Sequence, residues 1–251
     1  MAAPAEGLRV TFLGSGDAFG HGGRLQACIL LEAGGRAYLL DCGASALISL
    51  QRYGVEPNRV EGILVSHLHG DHFGGVPFFV LDAQLFSKRR QPLMLAGPPG
   101  LARHLPLAME AAFPGSSGVQ RKFAVQVQEL PPGRPQTWGA LRVTPFAATH
   151  PPGEVRLMLR LELGGRVLAY TGDTGWEDGL IPAAQGADLL IAEAYFYERA
   201  VREHLSYREL RDRLGELGAK RTVVTHMAPD MLARLGQIDL EAASDGLRLE
   251  L

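Results

Sequence analysis

Three histidines and an aspartate fall within six positions: His67, His69, Asp71 and His72, in the stretch SHLHGDHFGG. Imidazole and carboxylate are the usual ligands of divalent cations, and a folded core has little use for so many of them on one turn. Gly70, Gly74 and Gly75 would let the backbone wrap closely around an ion. Four apolar runs end on residues of the same kind: GILVSH on His67, RVTPFAATH on His150, RVLAYTGD on Asp173 and RTVVTH on His226. If those runs are strands sharing one edge, their ends converge there, as functional groups held on a rigid scaffold do. One catalytic zinc takes about three protein ligands and an open position. Seven candidates (His67, His69, Asp71, His72, His150, Asp173 and His226) are too many for one ion and suit two ions sharing a bridge. Such a pair can clamp the attacking and leaving oxygens of a displacement. The expected cofactor is two divalent ions, zinc first, with manganese or iron also compatible with these donors.

The elements that must position these groups can be read from the runs themselves. LRVTFLG (8–14), ACILLEA (27–33) and RAYLLDCG (36–43) read as strands, with a hairpin at Gly34-Gly35. A helix is expected over 44–53, a strand over 62–66, a helix over 76–86 running into the basic cluster SKRR, a strand over 92–97 and a helix over 100–113. Further strands are expected at 123–130, 140–148, 155–163, 166–171, 188–192 and 221–225, with PPGRPQ (131–136) as a loop. Leu210, Leu214 and Leu217 keep helical spacing over 206–217, and Ser206 with Glu209 forms a capping box. Strands outnumber helices and the two are mixed, which points to an α/β (α+β) fold of packed sheets with helices outside.

Composition bounds the function. At 251 residues, 46% hydrophobic and 21% charged, the chain reads as a soluble globular protein, here as one domain over 1–251 with residues 1–7 as a flexible tail. A net charge of −2 gives no overall pull toward polyanions. The opening MAAPAEGLRV lacks the basic start and apolar stretch of a signal peptide, and no window is apolar enough to span a bilayer. The expectation is a cytoplasmic protein with no membrane partner. Cys28 and Cys42 sit in apolar runs and are expected to be buried free thiols.

HLHGDH followed by separated His, Asp and His resembles the metallo-β-lactamase fold superfamily, and the similarity runs from FLGSGDAFG through YLLDCG to VVTHM. The resemblance implies a four-layer αββα sandwich with a dinuclear site at one edge. It assigns His67, His69 and His150 to one ion, Asp71, His72 and His226 to the other, and Asp173 to the bridge. Within the superfamily, LGSGDA, YTGDT (170–174) and EHLSYREL (203–210) are similar to the ribonuclease Z branch of phosphodiesterases. That likeness gives His204 the part of proton donor to the leaving oxygen, and His204 and Asp71 are the candidate catalytic residues. It also implies a homodimer. The tRNA-processing members carry a long glycine- and proline-rich arm; here Asp173 follows His150 by only 23 positions and no arm-like insertion is present.

The expected activity is therefore cleavage of a P–O ester in a small or cyclic phosphate, or in RNA near its 3′ end, by a metal-bridged hydroxide. A thioester or other acyl hydrolase with the same metal pair is the rival enzyme, and a non-catalytic metal- or ligand-binding protein the rival of another class. Glu193, ending DLLIAE, could orient His204, and Asp41, ending AYLLD, could support the metal-binding turn by hydrogen bonds. Ser66, Thr171 and Thr174 flank ligands, and His21, in GSGDAFGHGG, could reach substrate.

Overall fold

The computed structural model describes residues 7–148 and 155–251. His150 and, apart from Gly7, the expected N-terminal tail lie outside the described residues. The chain builds one sheet, crosses to a second, and returns at its end to the first. The first sheet holds β1 (Arg9–Gly14), β2 (Cys28–Ala33), β3 (Arg36–Leu40), β4 (Val60–Leu64), β5 (Leu93–Gly97) and β6 (Val125–Glu129) in chain order. The second holds β7 (Gln136–Trp138), β8 (Leu141–Ala147), β9 (Leu157–Leu163), β10 (Arg166–Tyr170), β11 (Leu189–Glu193), β12 (Thr222–Thr225) and β13 (Glu241–Ala242). β14 (Arg248–Glu250) then pairs antiparallel with β1, closing the outer edge of the first sheet.

The β2–β3 hairpin turns on Gly34 and Gly35, both at positive φ (56° and 76°), where only glycine bends without strain. The inner faces of the sheets share one core, with Phe12 and Leu31 from the first meeting Val143, Leu159 and Leu168 from the second. α1 (Ala46–Arg52), α2 (Gly70–Phe73), α3 (Val76–Leu85) and α4 (Leu101–Ala112) belong to the first half, and the first sheet's outer face packs on α1, α3 and α4 through Leu50, Phe79 and Leu101. The second half carries α5 (Leu180–Ala184), α6 (Tyr207–Asp212), α7 (Leu214–Leu217) and α8 (Pro229–Leu232), which cover the outer face of the second sheet through Leu180, Leu210 and Met231. The order is helix, sheet, sheet, helix. Strands covered on both faces read as near-continuous apolar runs, which is why alternation is weak in LMLAG or LLIAE.

Some expectations change. The helix expected over 206–217 is broken at Arg213, whose φ of −105° and ψ of 7° leave the helical region, so Leu214 starts a separate turn. PPGRPQ is not wholly loop, since Gln136 opens β7 by pairing with Val143. Within the SKRR cluster, Arg89 is buried and donates to the carbonyls of Gln91 and Pro92. Cys28 and Cys42 are buried free thiols, and burial raises both above the ordinary thiol range.

The pairing pattern places the chemistry. β3 through β6 are parallel, as are β10 through β13. β3 therefore delivers Asp41 and β4 delivers His67 at the same end of the first sheet, while β10, β11 and β12 deliver Asp173, Glu193 and His226 from the second. The two halves meet where Leu157 N–H donates to the Ser66 carbonyl (2.9 Å). Gly172 sits there too, at φ 55°, and a Cβ on it would lie 2.9 Å from the Ser66 Cβ. Gly172→Ala should cost at least about 1–2 kcal/mol from the left-handed backbone alone, with the clash adding to it. Denaturant titration of the two proteins measures this, and equal midpoints would refute the requirement.

Candidate metal centre

The turn after β4 is built to present side chains rather than to continue a helix. His69 is the extended residue before α2, a single helical turn, and Asp71 and His72 lie on that turn. Gly75 closes it: its N–H donates to the Cys42 carbonyl (2.9 Å), and a Cβ there would lie 2.2 Å from the Gly43 carbonyl oxygen. The turn is thereby pressed against the end of β3, where Asp41 stands.

Ligand-type atoms of Asp71, His72, Asp173 and His226 all lie within 4.8 Å of one another, and all four residues are buried. His72 Nε2 is 3.3 Å from Asp71 Oδ2 and 3.2 Å from Asp173 Oδ1. His226 Nε2 is 3.4 Å from Asp173 Oδ2, and His67 Nε2 is 3.7 Å from the same oxygen. Donors held ~2.0–2.2 Å from a zinc-sized ion at tetrahedral angles stand roughly 3.3–3.6 Å from each other, which is close to the spacing here. His67 Nε2, His72 Nε2 and Asp173 Oδ1 are buried without a hydrogen-bond partner. Buried polar atoms are rarely left in that state unless something else satisfies them, and a divalent cation fits this donor set. The ring of His69 stands edge-on to that of His67, with centroids 4.7 Å apart. The structure thus gathers Asp71, His72, Asp173 and His226, sets His67 and His69 beside them, and leaves His150 outside the described residues.

The electrostatics agree with the geometry. Burial pushes His67 well below the ordinary imidazole range and lowers His226, so both are neutral, the form that binds metal. Burial works against charge on Asp71 and Asp173, but the neighbouring imidazoles outweigh it and hold both carboxyls low. His72 is raised, since the carboxylates of Asp173, Asp41 and Asp71 overcome its burial. Without metal, a proton on His72 partly answers the negative charge that a cation would answer fully.

Asp41 organises this cluster from behind. Wholly buried and at φ 58°, it accepts hydrogen bonds from the Ser66 N–H (2.7 Å), the Ser66 hydroxyl (2.8 Å) and the Tyr170 hydroxyl (2.7 Å). Its Oδ2 is also 2.6 Å from His72 Nδ1. That contact places the ring proton on Nδ1 and turns the lone pair of Nε2 toward the cluster. His226 shares the unusual backbone, with φ 57°, and strain of this kind persists where the surroundings over-determine it.

A second constellation lies alongside. His204 Nδ1 is 2.8 Å from Glu193 Oε2, and Tyr195 stacks on the His204 ring with centroids 4.4 Å apart and planes 24° apart. Glu193 is itself fixed: the Thr174 N–H donates to Oε1, and the Glu193 N–H donates to Thr171 Oγ1 (3.0 Å). Burial pushes Glu193 up to about 7. Burial also opposes charge on His204, but the bond to Glu193 and its charge raise it. Tyr170 and Tyr195 were not singled out in the sequence. The available signal was position, since Tyr170 ends β10 next to Thr171 and Tyr195 stands two residues past Glu193, the end of β11.

Comparison with known proteins follows from this arrangement. The family model described as Anti-Pycsar protein Apyc1 matches residues 8–240. Ribonuclease Z of Mycobacterium marinum is 28% identical over 271 residues, covering 97% of this chain and 95% of that one. The structure of human tRNase Z, short form, superposes with a TM-score of 0.80 at 25% identity, covering 96% and 98% of the two chains. The metallo-beta-lactamase fold protein YhfI from Bacillus subtilis gives a TM-score of 0.80 at 23% identity, over 98% and 100%. The metallo-β-lactamase fold expected from HLHGDH is the fold this chain adopts.

Replacing Asp41 tests how far the ligands depend on their support. Asp41→Asn keeps the size but loses the charge facing His72, and metal affinity should fall ~10–100-fold. Competition against a chromophoric chelator reads this directly; unchanged affinity would show that His72 is oriented by other means.

Proposed function

The chain belongs to the Anti-Pycsar protein Apyc1 family, and from that premise we propose that it is a metal-dependent phosphodiesterase. The single observation that supports this most is the convergence of Asp71, His72, Asp173 and His226 beside an imidazole, His204, that is not part of their cluster. We propose His67, His69, Asp71, His72, His150, Asp173 and His226 as ligands of two divalent ions, zinc first. Such ions supply Lewis acidity and lower the pKa of water, so that a nucleophile exists at neutral pH.

The chain's own groups do the rest. Asp173 and Asp71 stay ionised and offer oxygens to the cations, and Asp71 can also accept a hydrogen bond from the attacking water. His204 turns Nδ1 to Glu193, which leaves Nε2 to donate its proton to the ester oxygen as the P–O bond breaks. Tyr195 fixes the plane of that ring by stacking. Glu193 keeps the proton on His204 to higher pH than an ordinary imidazole would hold it. The substrate class proposed is a small or cyclic phosphodiester, or RNA near its 3′ end, and the relatives named ribonuclease Z and tRNase Z support phosphorus over an acyl carbon. No helix among the described residues is long and apolar enough to cross a membrane, and we propose a cytoplasmic location.

Metal analysis followed by assays on bis(p-nitrophenyl) phosphate, a thioester and a β-lactam, each with and without chelator, tests the reading. Chelator-sensitive hydrolysis of the phosphodiester is expected, and activity confined to the thioester would overturn it. His204→Ala should cut turnover ~10²–10⁴-fold with metal content unchanged; loss of metal would make His204 a ligand instead. The acid form of His204 is the working one, and Glu193 raises its pKa. Glu193→Gln should therefore move the alkaline limb of the kcat profile to lower pH, and an unmoved limb would remove Glu193 from this role.

We also propose that the chain forms a homodimer through the outer faces of α3 and α4. Phe78, Leu85 and Phe86 are exposed there and line one hollow with Phe113, whose ring Phe78 meets edge-on with centroids 5.0 Å apart. Contiguous apolar surface of this kind marks an association site. Phe86→Glu should shift the light-scattering mass from two chains to one, and a monomeric wild type would end the proposal.

A further inference from the structure

The loop from β1 to β2 spends bonding on holding an aromatic ring in water. Phe19 is 76% exposed, so its burial does not account for it. The loop around it is nevertheless tied down. Asp17 is wholly buried; its Oδ1 accepts the His21 N–H (3.1 Å) and its Oδ2 is 2.6 Å from His21 Nδ1. The Gln26 side-chain amide donates to the Ala18 carbonyl (3.0 Å). Gly20, Gly22 and Gly23 take positive φ values of 65°, 70° and 72° that other residues would resist. A buried carboxylate is costly unless its hydrogen bonds are met, and here they are met by the residue that flanks Phe19 two positions on. The Phe19 and His21 rings stand edge to face, 5.8 Å apart.

Both roots of this loop stand on the metal centre. The Ser15 carbonyl accepts the His226 N–H (3.3 Å) and the Thr225 hydroxyl (3.2 Å). At the other root, a Cβ on Gly43 would meet Gln26 Cβ at 2.7 Å and the Asp71 carbonyl oxygen at 2.3 Å, so Gln26 and the metal-ligand turn both pack on Gly43. Tyr195 stacks on His204, and its ring centroid lies 5.7 Å from that of His226. Its hydroxyl is raised by burial and then by the charges of Asp17, Asp173 and Asp71.

We propose that Phe19 and His21 are specificity residues that receive a nucleobase carried on the sugar of the phosphodiester, Phe19 by stacking on its face and His21 by a hydrogen bond at Nε2. An exposed flat ring on a braced loop is a stacking platform, sequence-tolerant because every base has a π-face. Asp17 occupies Nδ1 of His21 and thereby turns the other ring nitrogen outward, with the side chain about one-third exposed. The inference rests on the phosphodiesterase reading above.

Thymidine 5′-(p-nitrophenyl phosphate) and methyl p-nitrophenyl phosphate share a leaving group and differ in the nucleoside, so the pair isolates the base. Phe19→Ala in the metal-loaded protein should raise KM for the thymidine ester ~5–150-fold, well beyond its effect on the methyl ester, with kcat little changed. Phe19→Trp should restore the thymidine ester. Binding of thymidine 5′-monophosphate, followed by calorimetry, should weaken by a similar factor. Equal losses on both esters, or none on either, would overturn the assignment while leaving the phosphodiesterase intact. A wild type without chelator-sensitive hydrolysis of either ester would instead remove the reading beneath it.

Discussion

Two ionised carboxylates, Asp71 and Asp173, buried where two sheets meet, set the terms for what surrounds them. Charge is expensive to remove from water, and a pair of like charges more so. Imidazoles are what the chain brings against them, yet the ring nitrogens stop 3.2–3.8 Å from the oxygens. That is too long for strong charge-assisted hydrogen bonds and leaves a volume between the groups. The cluster is incomplete as a hydrogen-bonded network, while its donors are of the kind that hold a divalent cation. A proton on His72 is the poor substitute, and cations are the good one.

The rest of the edge exists to hold those atoms apart at that spacing. Two non-glycine residues of the site, Asp41 and His226, sit in left-handed backbone conformations, each at the point where a parallel strand ends. The strain of about 1–2 kcal/mol at such a residue is offset by what it achieves. Asp41 gathers bonds from Ser66, His72 and Tyr170, and so ties both sheets to one carboxylate. His226 turns back so that its own N–H meets the carbonyl of Ser15, just past β1 of the first sheet. A helix or a regular turn at either position would point the side chain elsewhere.

What the sequence made legible follows from which forces are local. Strand ends carrying His or Asp could be read because apolar runs announce the strands and a polar residue type announces the break. The glycine hairpin at 34–35 was legible because its turn demands positive φ. The break at Arg213 was not, because Leu210, Leu214 and Leu217 keep helical spacing straight through it. β13 and β14 were not either: two- and three-residue strands exist through pairing with β12 and β1, which no local window contains. Tyr170 and Tyr195 escaped for another reason. An aromatic residue at the end of a strand reads as core, and only the partner, Asp41 for one and His204 for the other, gives it work.

The two sides of the metal centre are built on different principles, and this bears on what decides the substrate. One side is sheet edge, where His67, Asp173 and His226 stand just past the paired strands β4, β10 and β12, and a shift of one residue would break the core beneath them. The other side is the glycine-rich loop at 14–26, which is anchored at its roots and touches Leu232 of α8 through Gly22. Such a loop can change its exposed residues without moving an atom of the ligand set. With Phe19 and His21 in the role proposed for them, reaction type belongs to the edge and recognition to the loop. Phe19 fits this division: its ring contributes nearly nothing to the core, so its presence is not dictated by folding. Asp17 fits it from the other direction, since a buried carboxylate two residues away is retained to fix the loop's shape. A chain under pressure only to fold would keep neither.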